Sequence, residues 1–184
     1  MYRLDIGRTA APPGKQGALF ISSGKLLYIQ SKTKRDMTNK LPVHAVATAL
    51  FSVPPERVFD AFLNTEMVGQ FMFGPQLREE EIVSLTNSPW EGGSFSYIVR
   101  RQGQEINHAG KYLEVKRPER LVFSWQVMDD PSGEASIVVI EIVPIIAGCE
   151  LTLTHEMSSK WESFVEQSKV AWGKMLDKLT EILQ

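Results

Sequence analysis

The chain has 184 residues, of which 43% are hydrophobic and 23% charged, a size and composition that suit one globular domain with a core of its own. Its 20 basic and 22 acidic residues leave a formal net charge of -2, which argues against nucleic acid or another polyanion as partner. The single cysteine, Cys149, permits no internal disulfide, nothing at the N-terminus reads as a secretion signal, and no apolar run approaches the roughly 20 residues of a membrane span. A cytoplasmic protein is expected.

Residues 1 to 41 read as an extension. Ala10-Ala11-Pro12-Pro13-Gly14 and Ser31-Lys32-Thr33-Lys34-Arg35 are linker-like or charged, and the apolar stretch between them, Ala18 to Gln30, turns at Ser22-Ser23-Gly24-Lys25 in the manner of a β-hairpin. The main domain, residues 42–184, opens with a strand from Val43 to Val53. Pro54-Pro55 stops it and starts a helix to about Leu63, because proline's missing amide has no intrahelical partner in a first turn and Glu56 suits the positive end of the helix dipole. A second short helix is expected between Asn64 and Phe73, before Gly74-Pro75.

From Arg78 the hydrophobic period changes to two. Six strand-like segments follow, at about 78–87, 93–101, 105–116, 120–128, 135–144 and 149–157, separated by short turns that force antiparallel pairing. In the third, Ile106, His108, Gly110 and Tyr112 share one parity, and Leu113 with Val115 point to a bulge that reverses it. The Glu79-Glu80-Glu81 run at the start of the first segment reads as a solvated charge run that also discourages edge pairing. Finally, Trp161, Phe164, Val165, Trp172, Met175, Leu176, Leu179, Ile182 and Leu183 fall at helical spacing, so a helix from Trp161 to Gln184, about 33 Å long, should cover the concave face of the sheet.

This order, with about seven strands arranged β-α-α-β6-α, resembles the START-like or SRPBCC superfamily, an α+β helix-grip fold whose curved antiparallel sheet wraps a long C-terminal helix. Four blocks resemble the branch named for homologues of the heat-shock-protein-90 ATPase activator: Ser52 to Phe62, Gly110 to Trp125, Leu151 to Glu156, and Trp172 to Leu179. The sequence departs from that pattern at Phe71-Met72-Phe73, where many relatives carry a tryptophan pair, and residues 1 to 41 have no counterpart in it. The resemblance implies the fold. For activity it leaves open lipid carriers, hormone receptors, cyclase-like enzymes and a chaperone regulator.

The residues themselves give little support for catalysis. The histidines are His44, His108 and His155, Cys149 lies outside any nucleophile motif, and these four are too scattered for a metal site, so neither metal nor cofactor is expected. Gly92-Gly93 lacks the lysine and following helix of a phosphate loop. His155 keeps the parity of Leu151 and Leu153 and should face inward, as a hydrogen-bonded core histidine or as a ligand contact, with a pKa below the usual 6.5 or so. Together with Tyr97, His108, Tyr112, Trp125, Trp172 and Met175 it forms the expected lining of a cavity for a small apolar or amphipathic ligand. The alternatives are a protein-interaction or chaperone-regulatory module, with a protein partner or a homodimer, and a cyclase- or dehydratase-like enzyme using His108, His155, Tyr97 or Tyr112 as acid or base.

Overall fold

The structure is a computed structural model and describes residues 21–22, 25–26, 43–128 and 134–184. The chain divides into two units, Met1–Asn39 and Lys40–Gln184. In the first, Ile21–Ser22 (β1) pairs antiparallel with Lys25–Leu26 (β2), with Ile21 opposite Leu26. The remainder of the expected hairpin and the basic run Lys32 to Arg35 lie outside the described residues.

The second unit is built on alternation. In β3 (Val43–Phe51), Ala45, Ala47 and Phe51 are buried while His44, Val46, Thr48 and Leu50 face out, as one covered sheet face requires. Helix α1 (Pro55–Leu63) starts on its proline with Glu56 in the first turn and buries Val58, Phe59, Ala61 and Phe62. Helix α2 (Thr65–Phe71) follows at once, because the Asn64 side chain accepts hydrogen bonds from the Glu66 and Met67 amides, at 2.9 and 3.2 Å, and caps it.

The strands β4 (Glu81–Asn87), β5 (Ser94–Arg101), β6 (Gln104–Lys116), β7 (Arg120–Val127), β8 (Ser136–Ile145) and β9 (Gly148–Met157) form the antiparallel meander, and β3 joins its far end beside β9. The seven-stranded order is β3-β9-β8-β7-β6-β5-β4. The bulge falls where the parity of Leu113 and Val115 put it. Tyr112 lies opposite Phe123 and Glu114 opposite Val122, so Leu113 is the extra residue and is exposed, while Val115 returns to pack against the core. At Gly110, in the middle of β6, a Cβ would overlap the Ser124 carbonyl oxygen and stand 2.5 Å from the ring of Phe95, so glycine lets β6 curve closely past β7.

The C-terminal segment differs from the expected single helix. Ser159–Phe164 is 3-10 helix and α3 proper runs over Val165–Leu183. Three residues per turn bring Trp161 and Phe164 onto each other, with ring centroids 5.2 Å apart, and Phe164 is exposed instead of continuing the stripe. The buried stripe is Trp172, Met175, Leu176, Leu179 and Leu183, packed in one core with the inward faces of the sheet and α1–α2. The fold is the expected α+β helix grip. No described helix is long and apolar enough to cross a membrane.

Candidate functional site

One end of the interface between the C-terminal segment and the sheet is open. A cleft of about 370 Å³ lies there, walled by His108 of β6, Trp125 and Val127 of β7, Ser136 of β8, His155 and Met157 of β9, and by Trp161, Phe164, Gln167, Ser168 and Ala171 of the C-terminal segment. Glu134 sits on its rim, paired with Lys160 at 2.6 Å. Of the seven residues expected to line a cavity, His108, Trp125 and His155 do line this cleft.

The others lie elsewhere. Deeper under the sheet, Phe62 and Met72 from the α1–α2 segment meet Phe95, Tyr97, Tyr112, Phe123 and Trp125, and only about 10 Å³ remains between them. Tyr97 and Tyr112 therefore belong to packed core, their hydroxyls 3.4 Å apart, with the Asn87 amide donating to Tyr112 and to the Leu63 carbonyl. Burial raises the pKa of both phenols, so they stay protonated at neutral pH. Met175 is core as well. Trp172 is buried behind the cleft wall, bonded to His155 and packed edge-on against Trp125 with ring centroids 5.8 Å apart.

His155 is hydrogen-bonded on both ring nitrogens. The Trp172 indole N–H donates to Nδ1 at 3.2 Å, which makes Nε2 the protonated nitrogen, and Nε2 donates to Ser136 Oγ at 2.7 Å. The Ser136 hydroxyl in turn donates a hydrogen bond to the Trp125 carbonyl at 2.9 Å, so every group in this series has a partner. Burial without a charged partner pushes the imidazole down to about 4, the direction that its inward parity implied. Its two nitrogens are committed to the protein.

His108 is the opposite case. Its ring lies between Phe73 and Trp125, each with a centroid 5.3 Å away, and Nε2 faces the Arg101 guanidinium at 3.5 Å. Facing a donor, Nε2 is the acceptor and Nδ1 carries the proton, yet Nδ1 is buried with no partner. Burial first, then the positive charges of Arg101 and Arg78, depress its pKa to about 4.

Behind His108 the glutamate run departs from expectation. Glu81 is at the surface, paired with Arg100 at 2.7 Å, but the Glu80 side chain is fully buried. It accepts from the Gly74 amide at 2.8 Å and from Arg101 Nε at 2.5 Å, with Arg78 Nε at 3.5 Å, while Arg78 also donates to the Met72 carbonyl at 3.2 Å. The strand starts at Glu81, so Glu80 belongs to the preceding loop and turns inward between two guanidiniums. Sequence reasoning missed it because nothing in three consecutive glutamates marks which one turns inward to meet Arg101 and the Gly74 amide. Cys149 is buried, and burial raises the pKa of its thiol.

The family described as "Activator of Hsp90 ATPase homolog 1-like protein" matches residues 52–184. The chain belongs to this family. Among curated proteins none matches it. Of solved structures, this activator-homologue domain is similar to protein CV1439 of Chromobacterium violaceum, with 22% identity and a TM-score of 0.65 over 76% of this chain and 96% of that one. It is also similar to a Rhodobacter sphaeroides protein, with 15% identity and a TM-score of 0.68 over 79% and 94% of the two chains. Protein SA2116 of Staphylococcus aureus gives 14% identity and a TM-score of 0.65 over 77% of this chain and 93% of that one. At these identities the likeness carries the fold of the activator-homologue domain and leaves its ligand to the geometry of the cleft.

Proposed function

We propose that this activator-homologue domain binds a small amphipathic molecule in the cleft between the ends of β6–β9 and the start of α3. The observation that carries the reading is the cleft itself. Its volume falls within the roughly 300–1,000 Å³ typical of ligand pockets, and its walls are mainly aromatic and aliphatic with a few polar groups at the edges. The unmet Nδ1–H of His108 adds a partner for a ligand oxygen once the ring turns towards it. Catalysis is disfavoured because burial holds both histidines well below neutrality and His155 has no nitrogen to spare.

The test is titration with a neutral apolar dye, N-phenylnaphthylamine, whose fluorescence should rise and saturate at one site per chain. Ala171 is half-buried on the wall, and Ala171→Trp should fill the space, weakening the dye about tenfold or more. Its melting temperature should stay close to the parent's, since the change costs a surface helix position only about 0.5 kcal/mol in propensity. Unchanged dye affinity in this variant places the binding elsewhere and removes the reading.

A chaperone-regulatory reading is favoured by the family's description and by one surface feature. On the outer face of the sheet Leu50 and Val143 flank Glu150, and with Ile145 and Ile146 of the β8–β9 hairpin they are exposed, Ile146 completely. On that reading the ligand-free domain should be retained by immobilised Hsp90, and Leu50→Asp should abolish retention without lowering the melting temperature. Equal retention of parent and variant contradicts it.

A further inference from the structure

We infer that the ligand of the cleft is an anionic amphiphile whose charged head lies at the Arg78–Lys174 end of a longer groove. This rests on the binding reading above and adds the head group to it. A second hollow of about 260 Å³, lined by Leu77, Arg78, Gln167, Val170, Ala171 and Lys174, shares Gln167 and Ala171 with the first, so the two adjoin along α3. Gln167, Ala171 and Lys174 stand at i, i+4 and i+7, one face of the helix.

The two hollows differ in charge. In the apolar one Glu134 is neutralised by Lys160. At the other end two guanidiniums, Arg78 and Arg101, share the single buried carboxylate of Glu80, and Lys174 makes no ion pair among the described residues. Glu79 is the exposed acidic neighbour on the loop, and it forms no ion pair among the described residues. Arg78, Arg101 and Lys174 against Glu80 and Glu79 leave one net positive charge at this end, with Arg78 and Lys174 the two cations that line the hollow.

Arg78 is also held in place. The Met72 carbonyl and Glu80 fix part of its guanidinium, and Glu80 is itself anchored by the Gly74 amide, so the N–H groups left over are presented without a further loss of side-chain freedom. A tail in the aromatic hollow and a carboxylate or phosphate between Arg78 and Lys174 would place each part of such a molecule against its complement. A neutral or cationic head would leave those two charges facing each other without relief.

Competition against N-phenylnaphthylamine tests this, using decanol, decanoate and decyltrimethylammonium below their aggregation concentrations. Decanoate should displace the dye at about tenfold lower concentration than decanol, and the cationic analogue should be the weakest. In Lys174→Glu, and independently in Arg78→Gln, that advantage should vanish while decanol is unaffected. Equal potency of decanoate and decanol, or an advantage that survives both substitutions, overturns the inference while the apolar cleft stands. Should the dye itself fail to bind, calorimetry with decanoate separates the two ideas: Lys174-dependent heat upholds the anionic site, and its absence overturns it.

Discussion

Acidification from pH 6.5 to pH 4 should remove about 5 kcal/mol of folding stability through His108 and His155, roughly 2–3 from each. Both imidazoles have pKa values of about 4 in the folded domain, against an ordinary value of roughly 6.5 in an unfolded chain. The unfolded chain therefore takes up protons in this window and the folded one does not. The stability from keeping the rings neutral is complete above about pH 6.5 and drains away as the pH falls to 4. The groups facing His155 are the uncharged Trp172 N–H and Ser136 hydroxyl, whereas His108 faces the Arg101 and Arg78 guanidiniums with Glu80 behind them.

Urea denaturation of the parent and of His155→Leu across this range measures the effect. At pH 7 the variant should be less stable by about 1–3 kcal/mol, because the Trp172 N–H loses its acceptor. Near pH 4 the deficit should close or invert, since leucine has no proton to refuse. Asp60 and Glu114, held low by Arg117 and by Lys116 with Arg120, titrate identically in both proteins and cancel. Parallel stability curves would show that His155 carries no such coupling.

Replacing Glu80 by alanine should cost about 3 kcal/mol in the same denaturation assay at pH 7. Breaking a buried ion pair by removing one partner typically costs 3–5 kcal/mol or so, because the remaining charge is left uncompensated. The lower figure applies here. The Arg78 and Arg101 side chains keep 31% and 28% of their exposure and can turn partly to water. The Gly74 amide would lose its acceptor as well, loosening the loop that carries Arg78. A loss below about 1 kcal/mol would mean that the carboxylate is not the strut of this loop.

Strands, turns and the last helix were legible because each is written in a short-range period, and even the bulge showed in the parity change from Tyr112 to Val115. His155 was legible for the same reason, since alternation fixes which face a side chain takes. Depth was not. Tyr97, His108 and Tyr112 share a face of the sheet, but whether a cavity opens above them depends on what α1 and α2 place there, and Phe62 and Met72 fill one end. Glu80 was hidden by its neighbours Glu79 and Glu81, because three identical residues carry no sign of which one meets Arg101 and the Gly74 amide. Lys174, a surface cation on the polar side of its helix, gained meaning only from Arg78 across the groove.

The pairing of β3 with β9 has a consequence for the order of assembly. Each strand from β4 to β9 finds its partner one turn away, a local event that closes small loops quickly. Strand β3 has no such neighbour: Phe51 waits for Cys149 and Val43 for Met157, almost the whole length of the domain later. During synthesis, β3 emerges before both β9, which pairs with its edge, and α3, which packs against it, so until they follow that edge is unpaired and the apolar face of β3 is uncovered. Contacts of this span slow folding, and the waiting strand is the stretch a nascent chain most needs to keep from pairing with another copy of itself.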